Sequence, residues 1–234
     1  MSGYFTFNGV SSATFGLLVS NITNFGAPAR VVEKVQVPYR NGDLLLDTGT
    51  YNNYIVTYRV ALINDVKADA RAIAEWLLAP QGYCTLTDSY NTTETRYAAY
   101  YNQLDITLEH LNRYGSATIS FDCKPQRYLQ SGQSPRTINT TATTLTNPTE
   151  FTAKPLIVIG GNGTVHIGSY NITVSNNAGD TITIDCESMQ CYRGTTNMNG
   201  SVSLPNGFPV LTAGSNVCTR ATSSCTVTPR WWRL

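Results

Sequence analysis

Three features of the sequence predict a mainly β protein that contains a single helix. Only 13% of its 234 residues are charged, about half of the usual share, while Tyr, Gly, Thr and Asn are abundant. This composition favours strands and tight turns over helical bundles. Short segments rich in β-branched and aromatic residues recur along the whole chain, and only one segment has helical periodicity.

The first half is predicted to be an α+β arrangement, in which one helix covers a sheet. Its strand candidates are residues 4–7, 15–22, 30–37, 54–63, 83–88, 96–101, 104–109 and 117–123. The helical segment reads NDVKADARAIAEWLLAPQG, and its apolar residues recur at helical spacing at Val66, Ala70, Ile73 and Leu77. Asn64 or Asp65 is expected to cap the start of this helix, and Pro80 and Gly82 are expected to end it.

The second half has no helical pattern and is predicted to be a β-sandwich or jelly roll. Short strand-like segments follow one another at even spacing, with Asn-Gly pairs between or beside them: PLIVIGG, TVHIG, YNITVS, TITID, SVSLP and CTVTP. Residues 131–148 hold almost no large apolar side chains, which predicts a linker. We therefore expect two domains, residues 1–135 and residues 136–234.

Charge and hydropathy argue against several classes of protein. The formal net charge is +1 without a basic run, so a dedicated nucleic-acid binder is not expected. No stretch of 18 apolar residues occurs, and the N-terminal MSGYFTFNGVSS lacks the basic and apolar regions of a signal peptide. Six cysteines without a C-x-x-C pair argue against a zinc site. We expect free, mostly buried thiols, with Cys186–Cys191 and Cys218–Cys225 as the alternative disulfides.

The sequence contains no known catalytic motif, so we predict no enzyme, no catalytic residue, no cofactor and no metal. Asp185 and Glu187 share one strand face and could serve hydrolysis or a cation, but a solvated strand end explains them more simply. Residues 160–163, GGNG, could cradle an anion, but their place between two strands favours a hairpin turn. His110 and His166 stand singly in strand-like surroundings and are interpreted as structural or surface residues.

Aromatic residues of the second half suggest an alternative function. Tyr170 and Tyr192, with Trp231 and Trp232, could form a platform on which a sugar ring stacks. The protein would then be a carbohydrate-binding adhesion module that acts through its C-terminal sandwich. Packing in a core or an interface is the other explanation of the same side chains.

The stretch VPYRNGDLLLDTGTYNNYIVTYRV, which begins at Val37, contains three consecutive leucines. They cannot all face one core, because successive side chains of a strand point to opposite faces. One interpretation is a strand buried on both faces within its own subunit. The other is an extended hairpin at a subunit boundary, with the candidate interface residues Arg40, Asn41, Gly42, Asp43, Leu44, Leu45, Leu46 and Tyr51. Asn41-Gly42 would reverse the chain, and Asp43 and Asp47 would give a channel wall negative charge.

Several stretches together resemble the distal tail protein (Dit) family of siphophages. They are FTFNGVSSATFGLLVSNI, VPYRNGDLLLDTGTYNNYIVTYRV, AIAEWLLAPQGYCTLTDSYNTTETRYAAYYN, GSATISFDCKPQRYL, GFPVLTAGSNV and VTPRWWRL. Residues 40–43 match the family's P-x-R-[DN]-G turn, although Tyr39 stands where a Gly is frequent. Trp76 and Leu77 match the end of the family's helix, and residues 208–232 match its closing strands.

This resemblance implies a structural protein of the virion tail tip, assembled in the cytoplasm of a bacterial host. Family members form a hexameric ring through a barrel-like N-terminal β domain with one helix, which a galectin-like sandwich follows. The ring joins the tail tube protein to the tail-associated (Tal) hub protein or the baseplate, and DNA passes through it without specific binding. The second domain lacks a long insertion, which leaves docking of receptor-binding proteins an open alternative.

Overall fold

The computed structural model describes residues 3–22, 26–62, 66–109, 114–175 and 180–234. The chain divides into two compact units, Met1–Arg127 together with Leu234, and Tyr128–Arg233. Each unit has its own hydrophobic core, and strands predominate in both. The prediction of a mainly β fold is confirmed.

The first unit contains ten strands and helix α1 among the described residues. These elements are β1 (Phe5–Phe7), β2 (Val10–Ser11), β3 (Leu17–Ile22), β4 (Arg30–Gln36), β5 (Asp43–Tyr51), β6 (Tyr54–Leu62), α1 (Val66–Leu78), β7 (Cys84–Asp88), β8 (Glu94–Ala99), β9 (Ile106–Glu109) and β10 (Tyr114–Leu129). All strands except β4 and β5 share one sheet, in the order β2-β1-β7-β8-β10-β6-β3, with β9 beside β10. As far as the structure describes it, this sheet is open rather than closed into a barrel. The expected caps Asn64 and Asp65, and also His110, lie outside the described residues.

Aromatic rings dominate the core that the sheet and α1 enclose. Phe5 stacks on Tyr58 with ring centroids 4.6 Å apart, and its centroid lies 5.6 Å from that of Trp76. Ile73, Trp76 and Leu77 are buried residues of α1, in agreement with the helical spacing of the sequence. Burial of this apolar face positions α1 on the sheet.

A buried ion pair lies beside this core. Arg96 Nη1 donates to Asp88 Oδ2 at 2.5 Å, and the Tyr58 hydroxyl donates to the same oxygen at 3.0 Å. Asp88 Oδ1 accepts hydrogen bonds from the backbone N–H groups of Tyr90 and Asn91. One carboxylate therefore closes the turn between β7 and β8 and also balances a buried cation.

The second unit is a sandwich of two antiparallel sheets. Its strands are β11 (Arg136–Thr137), β12 (Thr143–Asn147), β13 (Leu156–Gly160), β14 (Gly163–Ile167), β15 (Tyr170–Val174), β16 (Thr181–Asp185), β17 (Gln190–Arg193), β18 (Thr196–Asn197), β19 (Val202–Ser203), β20 (Gly214–Arg220) and β21 (Ser224–Thr228). A last short strand, β22 (Trp232–Arg233), belongs to neither of these two sheets and pairs with β10. One sheet has the order β11-β21-β13-β16-β17-β18, and the other has the order β12-β20-β14-β15-β19. Ile157 and Ile184 of the first sheet and Val165 and Ile172 of the second belong to one aliphatic core.

Residues 131–148, which we predicted to be a linker, form part of this sandwich. β11 pairs with β21, and β12 pairs with β20. Ile138 is fully buried, and in β12 the buried Leu145 and Asn147 alternate with threonines. A strand can thus bury one face with very few large apolar residues, which is why composition alone suggested a linker. The domain boundary between residues 135 and 136 stays a prediction.

The GGNG segment is not the hairpin turn that we expected. β13 ends at Gly160 in one sheet and β14 begins at Gly163 in the other, so the segment links the two sheets. Gly163 has φ +133°, and a Cβ atom there would collide with the Ala221 carbonyl oxygen. Gly160 accepts a hydrogen bond from the Ser223 N–H at 3.1 Å. The glycines therefore serve close packing against the loop between β20 and β21.

Asp88→Ala should lower the free energy of unfolding by about 3–5 kcal/mol, because the buried Arg96 guanidinium loses its hydrogen-bonded carboxylate and keeps only that of Glu94, 3.9 Å away. Urea denaturation measures the loss. The matched control is Asp180→Ala, which removes an exposed carboxylate 3.5 Å from Arg193 and should cost less than about 1 kcal/mol. Equal losses in the two variants would contradict a special role of the buried pair.

Candidate assembly surface

β4 and β5 form a two-stranded sheet that pairs with no other described strand. The register places Val35 opposite Leu44 and Lys34 opposite Leu45. The seven residues of β4 span about 23 Å at the usual rise of ~3.3 Å per residue. The hairpin is therefore an extended arm of the first unit, and we refer to residues 30–51 as the arm.

The three leucines of the arm are exposed. Leu44, Leu45 and Leu46 retain 39%, 58% and 46% of their accessible surface. Leu44 and Leu46 share one face with Val35, and Leu45 lies on the opposite face beside Lys34. The interpretation of this segment as a strand buried within its own subunit is therefore wrong.

The turn of the arm begins earlier than the sequence suggested. The Arg40 N–H donates to the carbonyl three residues before it at 3.2 Å, with Pro38 and Tyr39 between them. Tyr39 has φ +63°, so the turn is of type II, whose third position normally requires Gly. This requirement explains why Gly is frequent at the position of Tyr39 in the family that the sequence resembles. At the expected reversal, Asn41-Gly42, only Gly42 has a positive φ, of +83°.

The other end of the arm has a register shift between Arg30 and Val32 and an ion pair. Asp47 Oδ1 accepts a hydrogen bond from the Gly49 N–H at 2.8 Å, and Asp47 Oδ2 lies 2.9 Å from Arg30 Nη1. The guanidinium of Arg30 also lies over the ring of Tyr51, 5.6 Å from its centroid. Tyr51 thus belongs to the base of the arm, away from the turn. The arm contains three cationic and three acidic residues, so its net charge is zero. The negative charge that Asp43 and Asp47 were expected to give a channel wall is therefore offset by the cations.

A cleft of about 580 Å³ opens where the end of α1 meets the outer face of the sheet. Its walls include Leu78, Tyr83 and Tyr101, all of them exposed. Asp122 lines the cleft and accepts a hydrogen bond from Asn53 Nδ2 at 3.1 Å. The Asp122 carboxylate raises the pKa of the Tyr101 phenol. We call this surface the Asp122 cleft. The sequence patterns did not predict it, because its residues meet only in the folded chain.

The candidate carbohydrate contacts lie apart. Tyr170 begins β15 in one sheet of the sandwich, whereas Tyr192 lies in β17 of the other sheet. Trp231 is buried, and the Trp232 indole N–H donates to the Thr152 carbonyl at 2.9 Å. The structure therefore does not bring the two tyrosines together on one platform.

Asp185 and Glu187 stabilise a turn. Asp185 Oδ1 accepts hydrogen bonds from Arg230 Nη1 at 2.7 Å and from the Glu187 backbone N–H at 3.0 Å. Glu187 Oε2 lies 3.7 Å from the same guanidinium nitrogen. Burial opposes ionisation of Asp185, but the hydrogen bonds from Arg230 and Glu187 outweigh it and lower the pKa of Asp185. The strand end is thus tied to an arginine instead of being free in solvent.

The other candidate reactive groups have structural surroundings. His166 Nδ1 lies 2.6 Å from Asn171 Oδ1 on an exposed strand face. All six cysteines are free, and burial raises the pKa of Cys123, Cys186 and Cys225 to about 12, which makes their thiolates scarce. Within the described ranges, no three His, Cys, Asp or Glu side chains cluster as a metal site would require. Nor is any described helix long and apolar enough to cross a membrane.

The fold of the chain is similar to those of three solved phage tail and baseplate chains. Against the SPP1 Dit (gp 19.1) protein, described as a paradigm of the hub adsorption apparatus in phages that infect Gram-positive hosts, the TM-score is 0.73 at 13% identity over 97% of both chains. A chain of the phage P2 baseplate in its activated conformation with Ca gives 0.53 at 10% identity, over 97% of this chain and 98% of that chain. The P2 baseplate with Sr gives 0.52 at 9% identity, over 97% of both chains.

No family model and no curated protein sequence matches the chain. The similarity that these comparisons find is therefore one of fold. At the level of the fold, the resemblance to the distal tail protein (Dit) family is confirmed.

Asp185→Asn should lower the free energy of unfolding at neutral pH, because a neutral amide pairs less strongly with Arg230. A carboxylate whose pKa is lowered by folding adds stability above its unfolded pKa of about 4, and this contribution is lost as the pH falls through the folded pKa. The difference between wild type and variant should therefore disappear well below about pH 4. Urea denaturation at neutral and acidic pH measures it, and a difference that does not depend on pH would contradict this account.

Proposed function

We propose that this protein is a structural component of a phage tail tip, a distal tail protein whose six copies form a ring. The ring joins the tail tube protein to the tail-associated (Tal) hub or baseplate proteins and lets DNA pass without specific binding. The observation that carries the proposal is the shared fold with the SPP1 Dit protein over 97% of both chains. Because the structural neighbours come from hub and baseplate assemblies, they support a virion tail location, association with other tail proteins and a role that is not enzymatic.

The exposed surface of the arm favours the proposal that subunits contact one another through it. Exposed leucines on both faces of a two-stranded sheet require cover that the described part of the chain does not supply. Low charge and abundant Tyr are typical of a surface that neighbours cover. We assign the subunit contact to residues 40–46 and give Tyr51 a supporting role at the base of the arm.

The purified protein should form six-membered rings with six times the 25.6 kDa mass of the chain. Negative-stain electron microscopy and light scattering at micromolar concentration test this. If wild-type protein stays monomeric at every accessible concentration and also in the presence of its tail tube protein, the proposed ring is wrong.

Leu44→Asp, Leu45→Asp and Leu46→Asp should each leave a folded monomer that closes rings poorly. The three side chains are already exposed in the monomer, so an added charge costs folding little, whereas a charge buried in a subunit contact is costly. Val217→Asp, at a 51% exposed strand position of the second unit, is the matched control and should leave rings intact. Thermal unfolding and light scattering give the two readouts. Rings that persist in all three leucine variants would exclude the arm from the contact.

The alternative function, a carbohydrate-binding adhesion module, stays a prediction. Tyr170 and Tyr192 lie in different sheets, so no contact of the described residues favours it. Glycan binding by the full chain that is lost in Tyr192→Ala would revive this alternative.

A further inference from the structure

The turn of the arm presents a cation without a counter-ion. Arg40 directly follows the Pro38–Tyr39 turn and is exposed. It forms no ion pair with any residue that the structure describes, whereas Arg30 at the other end of the arm is paired with Asp47. A charged tip with exposed leucines close behind it suits a cleft that offers an acid and apolar walls.

The Asp122 cleft has these properties. Its carboxylate accepts a hydrogen bond from the neutral amide of Asn53, and no described cation forms an ion pair with it. Lys124 follows two residues later on the same strand, but its Nζ lies over the ring of Tyr83, 5.0 Å from the centroid. The acid is therefore open to a cation from outside the chain.

Arginine fits this cleft better than other cations do. A guanidinium is planar, pairs with a carboxylate through two parallel hydrogen bonds, and stacks on tyrosine rings. The exposed Tyr101 supplies such a ring, and Leu78 is an exposed apolar residue of the same cleft. We propose that the Asp122 cleft receives Arg40 of a second copy of this chain, with Leu44 of that copy packing against Leu78.

The occupant is a second copy because both halves of the contact occur on one chain. Arg40 and Asp122 of the same chain are not paired with each other, and their charges are complementary. A closed ring requires two different patches on each subunit, one of which fits the other on the next subunit. The arm and the Asp122 cleft are such a pair, so this inference rests on the proposed ring and names the surface that receives the arm.

Charge reversal tests the contact. Arg40→Glu and Asp122→Arg should each raise the concentration needed for half-assembly roughly tenfold or more, because each places like charges together. The double variant on one chain should return it to within roughly threefold of wild type, since the pair is restored in reversed order. Lys34→Glu combined with Asp122→Arg is the matched control and should not restore assembly. Circular dichroism and thermal unfolding check that each monomer is folded, and Asp122→Asn provides a milder variant should Asp122→Arg fail to fold.

Mixing the two single variants separates a contact between copies from one within a chain. In an equimolar mixture, every tip can meet a cleft of opposite charge when the two variants alternate, and an alternating ring of six closes. Rings in the mixture, with none in either variant alone, are the expected result. Rescue by the double variant without rescue by mixing would overturn the inference, as would wild-type-like rings in both single variants. In both cases the proposed ring itself would stand. A wild-type protein that never self-associates would overturn both proposals.

Discussion

The proposed assembly depends on one constraint: a two-stranded sheet has two faces, and the described chain leaves leucines exposed on both faces of the arm. Such a hairpin is only marginally stable in water by itself. Its base is held instead, because the Asn52 N–H donates to the Ala29 carbonyl at 2.9 Å and Arg127 Nε donates to the Tyr54 hydroxyl at 3.1 Å. The leucines are thus left for another surface, and an exposed apolar hairpin of this kind would favour aggregation unless a specific partner covered it.

Polar groups without charge hold much of the second unit together. Asn216 Nδ2 donates to the carbonyls of Leu145, Thr212 and Gly214, and Asn216 Oδ1 accepts from the Thr212 N–H at 3.0 Å. Asn147 has a similar role, since it donates to the Leu211 carbonyl. Buried amides satisfy backbone groups without the desolvation cost of a buried charge. These amide hydrogen bonds order the loops of the second unit without charged side chains. The low share of charged residues in the sequence also means that few charges are available to specify contacts with other subunits.

Local patterns predicted most of the elements, and two of the failures, β12 and the GGNG segment, have non-local causes. The helical spacing of Ile73 and Leu77 placed α1 correctly, and β-branched content placed most strands of the first unit. The Thr-rich β12 was missed because its pairing with β20, far along the chain, decides its structure. The GGNG segment was misassigned because no local signal shows that its flanking strands belong to different sheets.

The same limit applies to the candidate surface. The leucines of the arm were recognised because the alternation of side chains along a strand is a local property. The Asp122 cleft combines residues from α1, from β10 and from the segments that flank β7 and β8, and its sequence signal is only a surplus of tyrosines. A composition rich in Tyr indicates that contact surfaces exist, but it does not show which residues assemble into one.

The turn of the arm gives a physical reason why its tip can act as a contact element. A left-handed backbone conformation costs a non-glycine residue roughly 1 kcal/mol of conformational free energy, so Tyr39 has a conformation that is disfavoured for an isolated residue. Pro38, the residue before Tyr39, has its own φ angle fixed by its ring, and the hydrogen bond that the Arg40 N–H donates closes the turn. The backbone before Arg40 is thereby fixed before any partner arrives. Because ordering a flexible loop opposes association, a turn that is already ordered lowers the entropic cost of inserting a guanidinium into a cleft. A small backbone strain at Tyr39 therefore accompanies an ordered turn that fixes the backbone from which the Arg40 side chain extends.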